Sequence, residues 1–233
     1  MKEAIKKIIR KSPLLEGLLR RVRSGAARSR RAGVPFPGSS EYWESRYSTG
    51  GDSGVGSYGQ FAEFKADVLN EFVAAQRVQS VIEFGCGDGN QLSLADYPSY
   101  VGFDVSGTAI HKCKERFKKD PHKSFRLMSE YQGEVAELAL SLDVIYHLVE
   151  EAVFEDYMRT LFAGASRFVI VYSSDRDDDA GHDGVHVKHR RFTLWIERNL
   201  GGWKLKAHVP NRYPYRGDYL VGSFADFYVY ERA

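Results

Sequence analysis

The sequence predicts an α/β fold in which a mostly parallel sheet is covered by helices on both faces. Short apolar segments alternate with helical patterns along most of the chain, as they do in β-α-β units. Several of these segments are apolar throughout, which is typical of strands buried on both faces. The last two strand-like segments have no helical pattern between them, and this predicts an antiparallel pair at one side of the sheet.

The elements follow one another from residue 61 onward. Helical patterns cover residues 61–73, 106–119 and 150–163. Five predicted strands, which alternate with these helices, cover residues 80–84, 100–104, 124–128, 138–142 and 167–172. The predicted antiparallel pair covers residues 203–209 and 223–230. Together they make seven strands in one sheet.

Length and composition indicate one globular domain, residues 41–233, preceded by a segment and linker, residues 1–40. The chain has 233 residues, of which 43% are hydrophobic and 27% charged, so wholesale disorder is excluded. No apolar run is long enough for a transmembrane helix. Two cysteines cannot build a disulfide framework, which favours a cytoplasmic location.

The N-terminal segment differs in charge from the rest of the chain. Residues 1–31 hold eleven Lys or Arg and two Glu, a net charge of +9, whereas the remainder carries −7. Isoleucines and leucines recur there at helical spacing, interrupted at Pro13. A basic amphipathic helix suits an anionic membrane surface at the inner face of the membrane. A solvated helix or a partner-binding face is the alternative interpretation.

A glycine-rich turn carries the chemistry. Residues 81–90 read Val-Ile-Glu-Phe-Gly-Cys-Gly-Asp-Gly-Asn, with the glycines where a strand gives way to the next element. Bare backbone at such a turn approaches a ligand closely. Asn90 replaces the third glycine of the dinucleotide pattern G-x-G-x-x-G. Glu83 precedes the glycines, and Asp104 ends the next strand, where a carboxylate is placed for a ribose diol.

This stretch resembles the E/D-x-G-x-G-x-G motif of class I S-adenosylmethionine-dependent methyltransferases. Residues 101–106 and 140–148 resemble the family's second strand and fourth strand with its following turn. The resemblance implies a Rossmann-like seven-stranded sheet, S-adenosylmethionine as cofactor and methyl transfer as the reaction. The cofactor-binding residues that it implies are Tyr47, Glu83, Gly85, Cys86, Gly87, Asp104, Val105, Met128, Ser129, Ser141 and Asp143. A non-catalytic relative that only binds the cofactor is an alternative.

Four stretches also resemble a bacterial branch found with glycosyltransferases of surface polysaccharides: residues 42–47, the glycine-rich segment to Gly59, residues 61–65 and residues 186–192. This resemblance implies a sugar hydroxyl acceptor in a polysaccharide, glycolipid or nucleotide-linked precursor. N-methylation of an amino sugar or another small molecule is an alternative. A nucleic-acid acceptor is a further one, but no nucleic-acid partner is expected because the chain outside residues 1–31 is acidic.

Methylation of a hydroxyl needs a proton acceptor, and His147 is the candidate because it follows the fourth strand, at the edge where such folds bind ligands. The acceptor itself is expected to contact residues in two later stretches: His182, His186, His189, Arg190, Arg212, Tyr213 and Tyr215. The histidines among them lack a recognised metal-ligand spacing, so no metal is expected.

Overall fold

A seven-stranded sheet forms the centre of the protein in this computed structural model, which describes residues 36–177 and 184–233. The unit discussed below comprises residues 37–233. Its strands are β1 (Val81–Phe84), β2 (Tyr100–Asp104), β3 (Lys123–Leu127), β4 (Ala136–Leu142), β5 (Ala165–Ser173), β6 (Trp203–Val209) and β7 (Asp226–Arg232). Its helices are α1 (Ser39–Ser48), α2 (Gly59–Gln76), α3 (Gly107–Arg116), α4 (Glu151–Ala163) and α5 (Phe192–Asn199). The helical pattern of residues 1–31 and His182 lie outside the described residues.

The strand order is β3-β2-β1-β4-β5-β7-β6. The first five strands pair in parallel, and β7 runs antiparallel to both β5 and β6. The predicted fold class is therefore confirmed, including the antiparallel pair at one side. No helix of the described part of the chain is long and apolar enough to cross a bilayer.

Alternation of side chains along each strand separates two apolar layers. In β5, Phe168 and Ile170 pack in the layer of α2 and α3, whereas Val169 and Val171 pack in the layer of α4 and α5. This two-residue period places helices on both faces of the sheet, because each face needs cover. Glu83 is in step with Val81 in β1, so its carboxylate is on the α2 and α3 side.

Helix α1 was not among the predicted elements, and two elements in the C-terminal part of the chain also differ from the sequence prediction. Helix α5 was not predicted. The Asp175 carboxylate, eighteen residues earlier, accepts a hydrogen bond from the Thr193 amide at the start of this helix at 3.0 Å. The last strand begins at Asp226, three residues later than predicted. Residues 214 and 223 form an isolated bridge, which holds the chain before this strand in a turn.

The site lies where the strand order changes direction, between the neighbouring strands β1 and β4. From β1 the chain proceeds through β2 and β3 toward one edge, and from β4 it proceeds through β5 toward the other. The carboxyl ends of β1 and β4 therefore border a crevice, the location at which open α/β sheets bind ligands.

Candidate active site

The glycine turn after β1 has a backbone that few other residues could adopt. Gly85 has a φ of 87°, and a Cβ at this position would lie 2.5 Å from the side chain of Val144. Gly87 has a φ of 59°, and a Cβ there would overlap the hydroxyl of Ser53. Both features explain the glycines physically, since positive φ and close approach each disfavour a side chain.

Asp104 lies buried at the carboxyl end of β2, directly beside this turn. Its Oδ2 accepts from the Gly87 amide and its Oδ1 from the Ser106 amide, each at 2.9 Å. Burial raises the pKa of the Asp104 carboxyl to about 6, against the lowering effect of these backbone donors. Each carboxylate oxygen retains further acceptor capacity, so the group can still receive the hydroxyls of a diol.

Glu83 is buried at the end of β1, and Tyr100 donates a hydrogen bond to its Oε2 at 2.7 Å. Burial raises the pKa of Glu83 to about 7, although the Tyr100 hydroxyl and the charge of Lys65 oppose this shift. Two buried carboxyls with raised pKa values thus flank the glycine turn. Such perturbed groups in a crevice are typical of functional sites.

Helix α1 and the glycine-rich segment that follows it lie over this crevice, and together they are called the cover. Glu44 of α1 accepts from the hydroxyls of Ser106 and Thr108, both at 2.6 Å, which ties α1 to the start of α3. Farther along, Ser53 Oγ accepts from the amide of Asp88 at 3.0 Å and lies 2.9 Å from the Tyr47 hydroxyl. Hydroxyl groups from the cover therefore face the backbone of the glycine turn.

His147 lies on the far side of the crevice, in the short turn that follows β4. Its Nδ1 is 3.1 Å from the carbonyl oxygen of His186, and the rings of Trp43 and Tyr146 pack against it at 4.8 and 4.5 Å. Burial lowers the pKa of His147 to about 3, with a further contribution from His186. This lowered pKa favours the neutral imidazole at neutral pH.

Comparison with known proteins identifies the family. The sequence profile of a methyltransferase domain matches residues 58–206, which include the glycine turn, Asp104 and His147. The chain belongs to this methyltransferase family. Membership confirms methyl transfer as the class of reaction and S-adenosylmethionine as the predicted cofactor. No curated protein matches the sequence.

Solved structures show the same fold as this methyltransferase. NodS, an N-methyltransferase of Bradyrhizobium japonicum WM9 in complex with S-adenosylhomocysteine, is 16% identical, with a TM-score of 0.65 over 84% of this chain and 98% of its own. The magnesium protoporphyrin IX methyltransferase ChlM of Synechocystis PCC 6803, with bound S-adenosylmethionine, is 14% identical, with a TM-score of 0.59 over 86% and 100%. The methyltransferase domain of bacterial CtHen1-C is 21% identical, with a TM-score of 0.57 over 73% and 97%. At these identities the similarity supports the fold alone.

The methyltransferase brings many of the predicted cofactor residues to adjoining strand ends. Gly85, Gly87 and Asp104 meet directly, and Tyr47 reaches them from the cover. Val105 follows β2 with 45% of its surface exposed. Met128 and Ser129 form the turn after the neighbouring strand β3. The glycine backbone, the Asp104 carboxylate, the exposed Val105 and the partly buried Met128 fit the predicted cofactor.

Besides Glu83, three predicted cofactor residues have side chains engaged inside the protein. Cys86 packs in the buried layer of α2 and α3. Ser141 Oγ lies 2.8 Å from the Tyr157 hydroxyl, which donates to a backbone carbonyl. Asp143 is bound by Lys65 Nζ at 2.6 Å and by the Tyr146 hydroxyl at 2.8 Å.

The predicted acceptor residues separate into two groups. His186 stacks on His147 with ring centres 5.4 Å apart, and His189 is buried beside it, 2.6 Å from Ser174 Oγ. The other residues lie in the connection before β7. Arg212 pairs with Asp67 at 3.0 Å, and Tyr213 packs against Phe61 and Phe64, so these two anchor the connection. Tyr215 is 37% exposed.

Arg190 differs most from its predicted role. Its guanidinium binds two backbone carbonyls and the Glu151 carboxylate, so its donors are engaged inside the protein. Two aspartates near Arg190 also make hydrogen bonds inside the protein. The Asp175 carboxylate accepts from the Thr193 amide and the Asp177 carboxylate from the Arg191 amide. Among residues 36–177 and 184–233, no group of three or more potential ligands could hold a metal ion.

Sequence reasoning missed several residues of the site: Glu44, Ser53, Lys65, Asp88 and Tyr100. Asp88 accepts from the Tyr58 hydroxyl at 2.7 Å and from the Ser53 amide, so it joins the cover to the glycine turn. Its position inside the glycine motif could have indicated a role in the site. Lys65, by contrast, lies in a regular amphipathic helix and is fully buried, which the sequence pattern does not show.

Proposed function

We propose that this methyltransferase transfers a methyl group to a hydroxyl of a sugar in a polysaccharide, glycolipid or nucleotide-linked precursor. The observation that carries the proposal is the position of His147, in the turn after β4, where its Nδ1 lies 3.1 Å from the carbonyl oxygen of His186 and its pKa is lowered. The resemblance of residues 42–47 and 186–192 to a branch associated with polysaccharide glycosyltransferases supports the sugar class.

The cofactor contacts in this proposal come from both sides of the crevice. Asp104 receives the ribose hydroxyls, and Gly85 and Gly87 let the backbone lie against the amino-acid portion. Tyr47 and Ser53, which already face Gly87, close over that portion from the cover. S-adenosylmethionine, when bound there, supplies an electrophilic methyl group on a sulfonium ion.

His147 accepts the proton of the attacking hydroxyl at Nε2. Its low pKa makes it a weak base, yet the proton becomes strongly acidic as the hydroxyl oxygen forms its new bond to carbon. A weak base at the right place then suffices, and its positioning supplies most of the rate enhancement. The same low pKa keeps the imidazole neutral at neutral pH, so one of its two ring nitrogens is available to accept a proton.

Aromatic rings surround this base, as suits recognition of the apolar face of a sugar. Trp43 is partly exposed and packs edge-on against His147, while Tyr42 stacks on His186 with ring centres 4.6 Å apart. Aromatic side chains combine a large contact area with polar edges, which matches a ring that carries hydroxyl groups. Tyr215 adds an exposed ring from the connection before β7.

The second candidate is N-methylation of an amino sugar, and the lowered pKa of His147 favours it. An amine acceptor attacks once it has lost its own proton and needs no strong base. The two candidates differ in their pH dependence, because the rate for an amine follows the acceptor's ionisation.

The test uses the purified full-length protein with S-adenosylmethionine, neutral hexoses or deoxyhexoses, and matching amino sugars. Mass spectrometry detects the addition of one methyl group. We expect methylation of a neutral sugar, and a His147→Asn variant with a kcat lower by about 10²–10⁴ but unchanged affinity for S-adenosylhomocysteine. Methylation confined to amino sugars would replace the proposal with the second candidate. Full turnover by the variant would exclude His147 as the base.

A further inference from the structure

We propose that Arg190 is a positioning residue, which clamps residues 184–190 so that the main-chain carbonyl of His186 fixes the tautomer of His147. The clamp, rather than an acceptor contact, is then the reason for an arginine at this position. This inference rests on the proposed function, in which Nε2 of His147 takes a proton from the acceptor. It assigns a task to a residue that touches neither cofactor nor acceptor.

The guanidinium of Arg190 binds the turn that begins α4. One terminal nitrogen donates to the carbonyl of Leu148 at 2.8 Å and the other to that of Val149 at 3.0 Å. Its Nε and one terminal nitrogen also lie 3.2 and 3.1 Å from Glu151 Oε2. The group packs over the ring of Phe154, 4.5 Å from its centre. Only an arginine presents this fork of donors, so lysine cannot replace it.

A backbone bond continues the attachment toward the histidines. The Lys188 amide donates to the carbonyl of Tyr146 at 2.8 Å, and the Val187 amide closes a turn on Gly184 at 3.1 Å. His186 lies between these two bonds, so its carbonyl has a fixed direction. That carbonyl meets Nδ1 of His147 at 3.1 Å, and the two rings stack nearly parallel, at 11°.

The chemistry of this contact determines where the imidazole proton resides. A carbonyl oxygen can only accept a hydrogen bond, so Nδ1 of His147 must be the donor and carries the proton. In a neutral imidazole, Nε2 then has the free lone pair. If the loop moved away, the proton could occupy Nε2, and His147 would no longer be able to accept one there.

The first experiment measures the tautomer in the wild-type protein without any activity assay. Full-length protein with ¹⁵N-labelled histidine is studied by long-range proton–nitrogen correlation, with a His147→Asn variant to assign the signals. We expect a protonated Nδ1 and an unprotonated Nε2 for His147 at neutral pH. A protonated Nε2 as the main species would overturn the inference.

The second experiment compares Arg190→Met with Lys188→Met. The matched control removes a cation from the same loop, one whose Nζ also binds Glu151 at 2.9 Å, but it leaves the carbonyl bonds in place. We expect Arg190→Met to mix the two tautomers and to lower kcat by about tenfold or more, with unchanged affinity for S-adenosylhomocysteine as evidence of folding. Lys188→Met should keep the wild-type tautomer and rate.

Failure of the inference and failure of the proposed function give different results. An unaltered tautomer and rate in Arg190→Met would remove the clamp from the mechanism but leave His147 as the base. Full activity of His147→Asn would remove the base, while the tautomer spectrum would still report on the clamp.

Discussion

Lys65 of α2 and Asp143 at the end of β4 form a buried ion pair, with Nζ 2.6 Å from Oδ2 and a lysine side chain that is 1% exposed. Asp143 has a φ of 59° and also accepts from the Tyr146 hydroxyl at 2.8 Å. The ammonium group lies over the ring of Tyr172 at 5.2 Å. The pair thus connects helix α2 with the turn that contains His147.

Removal of one partner should destabilise the protein strongly. Lys65→Met leaves a buried carboxylate without its counter-charge, and we expect a loss of about 3–5 kcal/mol in the free energy of unfolding. The double variant Lys65→Met/Asp143→Asn should recover much of this loss, because no charge is left unpaired. Urea denaturation measures all three. As a control, Lys118→Met disrupts the exposed pair with Glu115 and should cost no more than about 1 kcal/mol. Equal costs for the two lysines would contradict the importance of burial.

Asp104→Asn should weaken the binding of S-adenosylhomocysteine at least about tenfold, since hydrogen bonds to a charged group contribute about 1.5–3 kcal/mol each. Titration calorimetry provides the affinity. Asp156→Asn makes the same chemical change on the exposed face of α4 and should bind like the wild type. An unchanged dissociation constant in Asp104→Asn would remove the ribose assignment.

Glu83 should make stability depend on pH. Its pKa is about 7 in the folded protein, above its usual 4.5, so the native state holds the proton more tightly than the unfolded chain does. This contribution to stability is complete below the unfolded pKa and is lost as pH rises through the folded one. Relative to the wild type, Glu83→Gln should therefore gain about 3 kcal/mol of stability between about pH 4 and pH 8.

Denaturation curves of the cofactor-free proteins across this range test the expectation for Glu83. The two proteins should differ progressively as pH rises. A constant difference would show that the pKa of Glu83 is the same in the folded and the unfolded protein, which would contradict the raised pKa.

Residues 1–31 should bind anionic membranes, since each basic residue near such a surface contributes about 1 kcal/mol. The segment holds eleven Lys or Arg. Sedimentation with phosphatidylserine vesicles at low salt should pellet the full-length protein but not residues 32–233, and neutral phosphatidylcholine vesicles should pellet neither. Both proteins should bind S-adenosylhomocysteine equally. If the full-length protein stays in the supernatant with anionic vesicles, the segment has a different partner.

Local patterns were sufficient to predict that the glycine turn and Asp104 lie together. The glycine turn and Asp104 lie at the carboxyl ends of consecutive strands, β1 and β2, and their chemistry depends on backbone conformation and strand ends, which short sequence motifs encode. The cover over them was only partly visible. The glycine-rich segment stood out, but the bonds of Glu44 to Ser106 and Thr108 join residues more than sixty positions apart.

The sequence by itself determined the fold class, and it predicted a cofactor site at the glycine turn and His147 as the candidate base, because each follows from periodicity or from a motif within one stretch of chain. Only the tertiary structure decided what surrounds that histidine. Its protonation and tautomer depend on burial and on the carbonyl of His186, and the role of Arg190 depends on carbonyls some forty residues earlier. Burial and backbone acceptors are created when distant segments pack together, and every residue type has the same carbonyl, so no pattern of side chains along the chain can indicate which one will bind.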